Sequence, residues 1–222
     1  NHANSWDSLD GTPYGYGQNG EYGNPFDVMG GSGGFSAHYN TISKRALGWL
    51  PDSYIHFPKG NGVYRIYAYD QPTLEEGKRY ALTVAKDSVR QYNVEYHPAR
   101  GGLLEDSALV LYSGMGSNAG HLLDTTPGSA GGKNDGGIAV GRTFSDLEAD
   151  MHFTVLSKNA TTPPSLDVAY FKGPFPGNVA PTATFSASAT TINAGESVTF
   201  TANASDSNGD ALAYHWEFSD GV

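Results

Sequence analysis

Residues 79–87 read RYALTVAKD and residues 90–99 read RQYNVEYHPA. Apolar and polar side chains alternate along the second, the two-residue period of a strand with one face in a core. Working outward, runs of the same length recur as GVYRIYAYD (62–70), SALVLYSG (107–114), IAVGRTFSD (138–146), MHFTVLSKN (151–159) and SLDVAYFKG (165–173), with turn residues between them. Such a series predicts an antiparallel β-sandwich over 54–172.

The bulk composition agrees with a mainly β chain of more than one unit. Of 222 residues, 38% are hydrophobic, 16% are charged and 29 are glycine, a balance that favours short strands and tight turns over helical bundles. The net charge is −10, and every Lys and Arg lies at or before Lys172, so a nucleic acid partner is disfavoured by repulsion. No apolar run reaches membrane-spanning length. With no cysteine, a thiolate metal site and a thiol protease are excluded, and any metal must use His, Asp, Glu or carbonyl oxygen. The same composition suits an exported protein. Because the chain opens on Asn1 and closes on Val222 inside a strand-like pattern, it reads as a segment of a longer polypeptide.

Upstream of the strands, residues 1–34 have no sustained periodicity and are dense in Gly, Asn, Asp, Pro and aromatic residues, the composition of a long functional loop. FSAHYNTISKRALGWLPD (35–52) predicts one helix, capped by Ser36, ended by Pro51, with Tyr39, Ile42, Ala46, Trp49 and Leu50 on its inner face. Residues 1–53, 54–172, a Pro/Gly linker at 173–181 and a second, partial β unit at 182–222 are the expected divisions.

Two residues of the first segment suggest chemistry. His2 sits at the head of NHANSWD, and Met29 lies in EYGNPFDVMGG (21–31) without the neighbours of a helical stripe. Zinc peptidases with H-E-x-x-H-x-x-G-x-x-H use three neutral imidazoles and a glutamate general base, and a methionine turn downstream floors the metal. NHANSWD, YGNPFDVMG and the helix ending ALGWLP resemble the end of the catalytic domain in gametolysin-type zinc metallopeptidases, which are metzincins; weaker likeness continues through VEYHPARGG, LLDTTPGS and VGRTFSD to about residue 172. The family more often has Asp where this chain has Asn24.

That resemblance implies a remnant of an α/β catalytic domain. His2 would be the third zinc ligand, Met29 the Met-turn residue, and Tyr22 and Phe26 candidates for the cleft wall. The other histidines and the catalytic glutamate would lie upstream of Asn1, leaving this fragment inactive alone. The implied function is that of a secreted zinc-dependent endopeptidase acting on extracellular protein or peptide. A non-catalytic extracellular adhesion protein built from β-sandwich modules is the alternative.

The chain's end, with AGESVTFTA, DSNGDAL and WEFSDG, resembles the start of a PKD domain, an immunoglobulin-like sandwich. The resemblance implies a buried Trp216 and, as a partner, an insoluble polymer or cell surface. Asp206, Asn208 and Asp210 alternate as calcium ligands do, although a hairpin turn closed by Asx hydrogen bonds is the favoured reading. TPGSAGGKND (126–135) lacks the spacing of a phosphate loop and reads as a turn, and the remaining histidines are too scattered for a second metal site.

Overall fold

The computed structural model describes residues 2–31, 38–98, 107–114, 120–174, 179, 181–209, 212, 214, 216 and 218. Fourteen strands among them build three sheets. The largest runs β2 (Gly17–Gly20), β1 (Asn4–Ser8), β8 (His121–Leu123), β7 (Ser107–Ser113), β6 (Gln91–His97), β5 (Ala81–Ala85) and β3 (Ile55–His56), with β9 (Ile138–Ala139) also on β7. The second is β10 (Thr143–Asp146), β11 (Met151–Asn159), β12 (Ser165–Lys172) and β4 (Gly62–Tyr67). A separate hairpin joins β13 (Thr182–Ala187) to β14 (Phe200–Ser205).

The first two sheets form the expected sandwich, and the alternation explains its core. Tyr92, Val94 and Tyr96 of β6 and Ala108, Val110 and Tyr112 of β7 meet Phe153 and Val155 of β11 and Leu166, Val168 and Tyr170 of β12. Two pairings depart from a purely antiparallel design: β3 runs parallel to β5, and β1 parallel to β8 with Asn4 opposite His121. The second pairing unites the segments divided at residue 53, because β1 of the first is hydrogen-bonded into the sheet of the other.

The large sheet is also buried on its outer face, where half-buried strands would meet water. Leu109, Leu111 and Leu122 pack there with Phe26 and Ile42 from the first segment. Burying each such side chain contributes about 1.5–3 kcal/mol. The polar positions of β6, Asn93, Glu95 and His97, are covered as well.

The helix, α1 (Thr41–Ala46), is shorter than the apolar spacing predicts. Asn40 is its N-cap, with Oδ1 accepting from the Ser43 amide at 2.8 Å; the expected cap, Ser36, lies outside the described residues. Thr41 and Lys44 face inward, while Trp49 is 56% exposed, because Gly48 takes φ +75° and ends the helix before Trp49 can join its stripe.

Lys86, just after β5, bridges the two sheets. Its Nζ lies 2.8 Å from Asp146 Oδ2, itself 2.7 Å from the donating Tyr92 hydroxyl, and also reaches Glu148 at 2.7 Å. Burial pushes the Asp146 carboxyl up, but the hydrogen bonds from Lys86 and Tyr92 outweigh it and hold the group below its ordinary value. Removing one partner of such a pair strands the other in a low-dielectric core. Asp146→Ala is therefore expected to lower stability by about 3 kcal/mol in urea denaturation at pH 7. A carboxylate with a depressed folded pKa stabilises above its unfolded value of 3.8 and loses that contribution as pH falls through the folded one, so the difference from wild type should shrink in acid.

Candidate functional site

His2 stands two residues before β1, opposite a turn closed by the Gly23 amide donating to Gly20 O at 3.0 Å. The central residues of that turn, Glu21 and Tyr22, both engage the imidazole. Glu21 Oε1 is 2.7 Å from Nδ1, the Tyr22 hydroxyl is 2.6 Å from Nε2, and the two rings stack with centroids 3.9 Å apart at 27°. A neutral ring satisfies both contacts by donating from Nδ1–H to the carboxylate and accepting at Nε2 from the phenol.

The chain then brings the methionine turn to the same place. The Ala3 amide donates to Met29 O at 2.9 Å, and the Asn24 amide donates to Ala3 O at 3.3 Å. Asp27 supports the turn from inside, its Oδ1 accepting from the Met29 amide at 2.8 Å and its Oδ2 from the Asn40 amide at 2.7 Å. Buried Asn24 acts locally, with Oδ1 accepting from the Phe26 amide at 2.9 Å. Gly30 is there for space: a Cβ on it would lie 2.0 Å from Asn24 O and 3.2 Å from Ala3 O. Gly30→Ala is expected to push the turn away from Ala3 and to cost about 1–3 kcal/mol in chemical denaturation, with faster hydrogen exchange at the Ala3 amide.

Beside the turn lies an open groove of about 490 Å³, lined among others by Trp6, Tyr22, Pro25, Asp124 and Lys133. Lys133, from the 126–135 stretch, ion-pairs with Asp7 at 2.6 Å across this region. Burial pushes Asp7 up, yet the hydrogen bonds from Lys133 and Ser5 prevail and keep its carboxyl below the usual range. Tyr22 thus belongs to a concave wall. Phe26 does not, because its ring is buried at 3% exposure against β7 and β8.

Behind the turn, polar groups are enclosed in a way the sequence did not announce. Glu95 of β6 is fully buried, and its Oε2 accepts from both the amide and the hydroxyl of Thr41, at 2.7 and 2.6 Å. Its Oε1 has no hydrogen-bond partner among the described residues. Burial pushes the carboxyl from 4.5 up to about 7 against those two hydrogen bonds, with Asp27 adding repulsion and Lys44 opposing it. Burial likewise raises Asp27 and lowers Lys44, whose ammonium donates to Tyr69 O.

A carboxyl raised in the folded state holds its proton more tightly there, so stability falls as pH climbs from the unfolded value of 4.5 to about 7. The loss is on the order of 3 kcal/mol. Glu95→Gln should flatten that slope in urea denaturation between pH 5 and pH 8, leaving a weaker trend of the same sign from Asp27.

Among the described residues no group of three or more His, Cys, Asp or Glu could hold a metal ion. His2 is thus a single candidate ligand, and these residues do not make a zinc site by themselves. In the terminal unit, Asp206 Oδ1 accepts from the Asn208 amide at 2.8 Å, Gly209 takes φ +79°, and Asn208 Oδ1 accepts from the Val179 amide at 2.9 Å, the pattern of an Asx-closed turn. Asp210 lies outside the described residues. Trp216, expected buried, is 37% exposed, with its ring against Phe185, Phe200 and Phe218.

No helix among the described residues is long and apolar enough to cross a membrane. Residues 178–222 match the family of the PKD domain. No curated protein matches the chain, and neither does any solved structure.

Proposed function

We propose that residues 1–53 are the C-terminal part of the catalytic domain of a secreted zinc-dependent endopeptidase of the gametolysin type, joined to a β-sandwich and a PKD module. The observation that carries the reading is the pair of backbone hydrogen bonds seating the residue after His2 between Asn24 and Met29. These bonds join the main chain beside His2 to that of Met29, which supports a methionine turn near the imidazole. The carboxylate on Nδ1 adds support, since metal-binding histidines ordinarily donate their second ring N–H to such a group. The remaining ligands and the general base would come from polypeptide beyond the described residues.

In this role His2 lends Nε2 to the metal in place of the Tyr22 hydroxyl, which lies 2.6 Å from that atom, and the groove beside Tyr22 receives a stretch of an extended protein substrate. Bound zinc would supply Lewis-acid polarisation of the scissile carbonyl and a water of lowered pKa. The PKD module would attach the enzyme to an insoluble polymer or cell surface, or hold it at a distance. A second reading, an extracellular adhesion protein without catalysis, rests on the match of residues 178–222 to the PKD domain.

A single experiment separates the two readings. A polypeptide in which residues preceding Asn1 supply the other ligands and the general base is expected to hold one zinc per chain and to cleave denatured protein, whereas residues 1–222 alone should do neither. His2→Ala in the longer chain should weaken zinc binding by more than about a hundredfold, beyond the loss typical of an outer-sphere partner. Full zinc content and undiminished hydrolysis in that variant would rule out the peptidase assignment of His2; no zinc in the longer wild-type chain would leave the adhesion protein.

A further inference from the structure

We infer that Glu21 and Tyr22 form a built-in clamp that fixes both the tautomer and the orientation of the His2 ring, and that Tyr22 is kept on strained backbone for this purpose. The inference deepens the reading of His2 as the functional imidazole. Two independent observations carry it.

The first is the contact geometry. Glu21 and Tyr22 are consecutive in one tight turn, yet they reach opposite nitrogens of the same ring, at 2.7 and 2.6 Å, while the phenol also covers its face. A carboxylate can only accept, so Nδ1 must carry the proton in this arrangement, and in the neutral ring Nε2 is then left with its lone pair. A metal-binding or proton-accepting imidazole needs that state, and here neighbouring side chains impose it.

The second is the backbone. Tyr22 has φ +57°, in the left-handed region where a bulky side chain is disfavoured. Of the two non-glycine residues with positive φ among the described residues, the other is Asp150, a type that tolerates the region because its short side chain bonds locally. The third position of such a turn ordinarily takes glycine. Gly20 and Gly23 flank it, so glycine is used on either side but not at the strained position. Nor does burial account for Tyr22, which is 46% exposed. Strain retained without a packing return marks a positioning role. The Tyr22 amide donating to Asn4 Oδ1 at 3.2 Å ties the turn to β1 and so keeps the clamp in register with His2.

The test uses the metal-free chain of residues 1–222 and reads the His2 ring directly by nitrogen-15 NMR, so its outcome is separate from whether the longer polypeptide binds zinc. Wild type is expected to show His2 predominantly as the Nδ1–H tautomer. Glu21→Ala should shift the tautomer ratio about tenfold toward Nε2–H, the scale set by losing a charge-assisted hydrogen bond. Tyr22→Phe, which keeps the stack but not the hydroxyl, should shift it in the same direction by less. Tyr22→Gly should abolish the ring-current shift on His2 while unfolding at the same or a higher denaturant concentration than wild type, because the strain is relieved. A wild-type ring in the Nε2–H form, or tautomer ratios unchanged in Glu21→Ala and Tyr22→Phe, would overturn the clamp. Loss of stability in Tyr22→Gly would show that Tyr22 is there for packing.

Discussion

The parallel pairing of β1 with β8 is the constraint from which the rest of the N-terminal architecture follows. Asn4, Ser5 and Trp6 register against His121, Leu122 and Leu123, and so fix where the residue just before the strand can lie. With β1 docked on the sheet, the 20–31 loop has to return across it, and Ala3 becomes the rail to which Asn24 and Met29 attach. The covering of the outer sheet face by Phe26 and Ile42 follows from the same placement. Thus the segment with candidate chemistry and the β-sandwich share a core. Long-range pairing of this kind forms only after the loop between β1 and β8 has closed, an entropic cost that the buried apolar contacts must offset.

That arrangement obliges the large sheet to enclose polar groups. Had β6 faced water on one side, Glu95 would be an ordinary surface carboxylate. Covered by α1, it must find donors, and the helix start supplies the Thr41 amide and hydroxyl. Asp27 does the same for its own neighbourhood, taking the Met29 and Asn40 amides. The two acids satisfy backbone donors that would otherwise be buried unpaired, each at a desolvation cost that raises its pKa. The turn bearing Met29 is therefore held by charge-assisted contacts from beneath as well as by its own main chain.

How much of this was legible in the sequence depends on the range of the interaction. Two-residue alternation located β4 to β7, β11 and β12, because strand periodicity is written in adjacent positions. It missed β1, β2 and β8, whose short, polar or glycine-rich stretches become strands only through partners far away in the chain. It also assigned one buried face to β6, since nothing local distinguishes a polar residue facing water from Glu95 facing a helix. The apolar spacing after residue 38 signalled a helix but overstated it, because Gly48 interrupts before Trp49. At the site, His2 and Met29 were drawn together only by resemblance; the structure bonds Ala3, the residue after His2, to the main chain of Met29. Glu21 could not have been found from spacing, although a tyrosine between glycines in a turn was a visible anomaly. In the terminal unit, residues 178–222 bore out the PKD likeness, but the burial of Trp216 was not realised.

The uneven distribution of backbone expense is the strongest physical pointer to where this region of the molecule is specialised. Most of the sandwich uses ordinary strand geometry and apolar packing, the economical way to make a stable β fold. Close glycine approaches occur elsewhere, as at Gly114, whose Cβ would lie 2.3 Å from Val89 O, but around His2 three such devices fall within a few residues. Tyr22 occupies a conformation suited to glycine, Gly30 lies too close to a carbonyl for any side chain, and a Cβ on Gly23 would lie 2.0 Å from Ser5 Oγ. The first two shape the loop itself, and the third brings it close to β1. A loop serving only to cover Leu109 and Leu111 could have done so through Phe26 alone, without a left-handed tyrosine at the rim. The added constraint is intelligible if the position of the His2 ring, rather than the stability of the sheet beneath it, is what this loop has to specify.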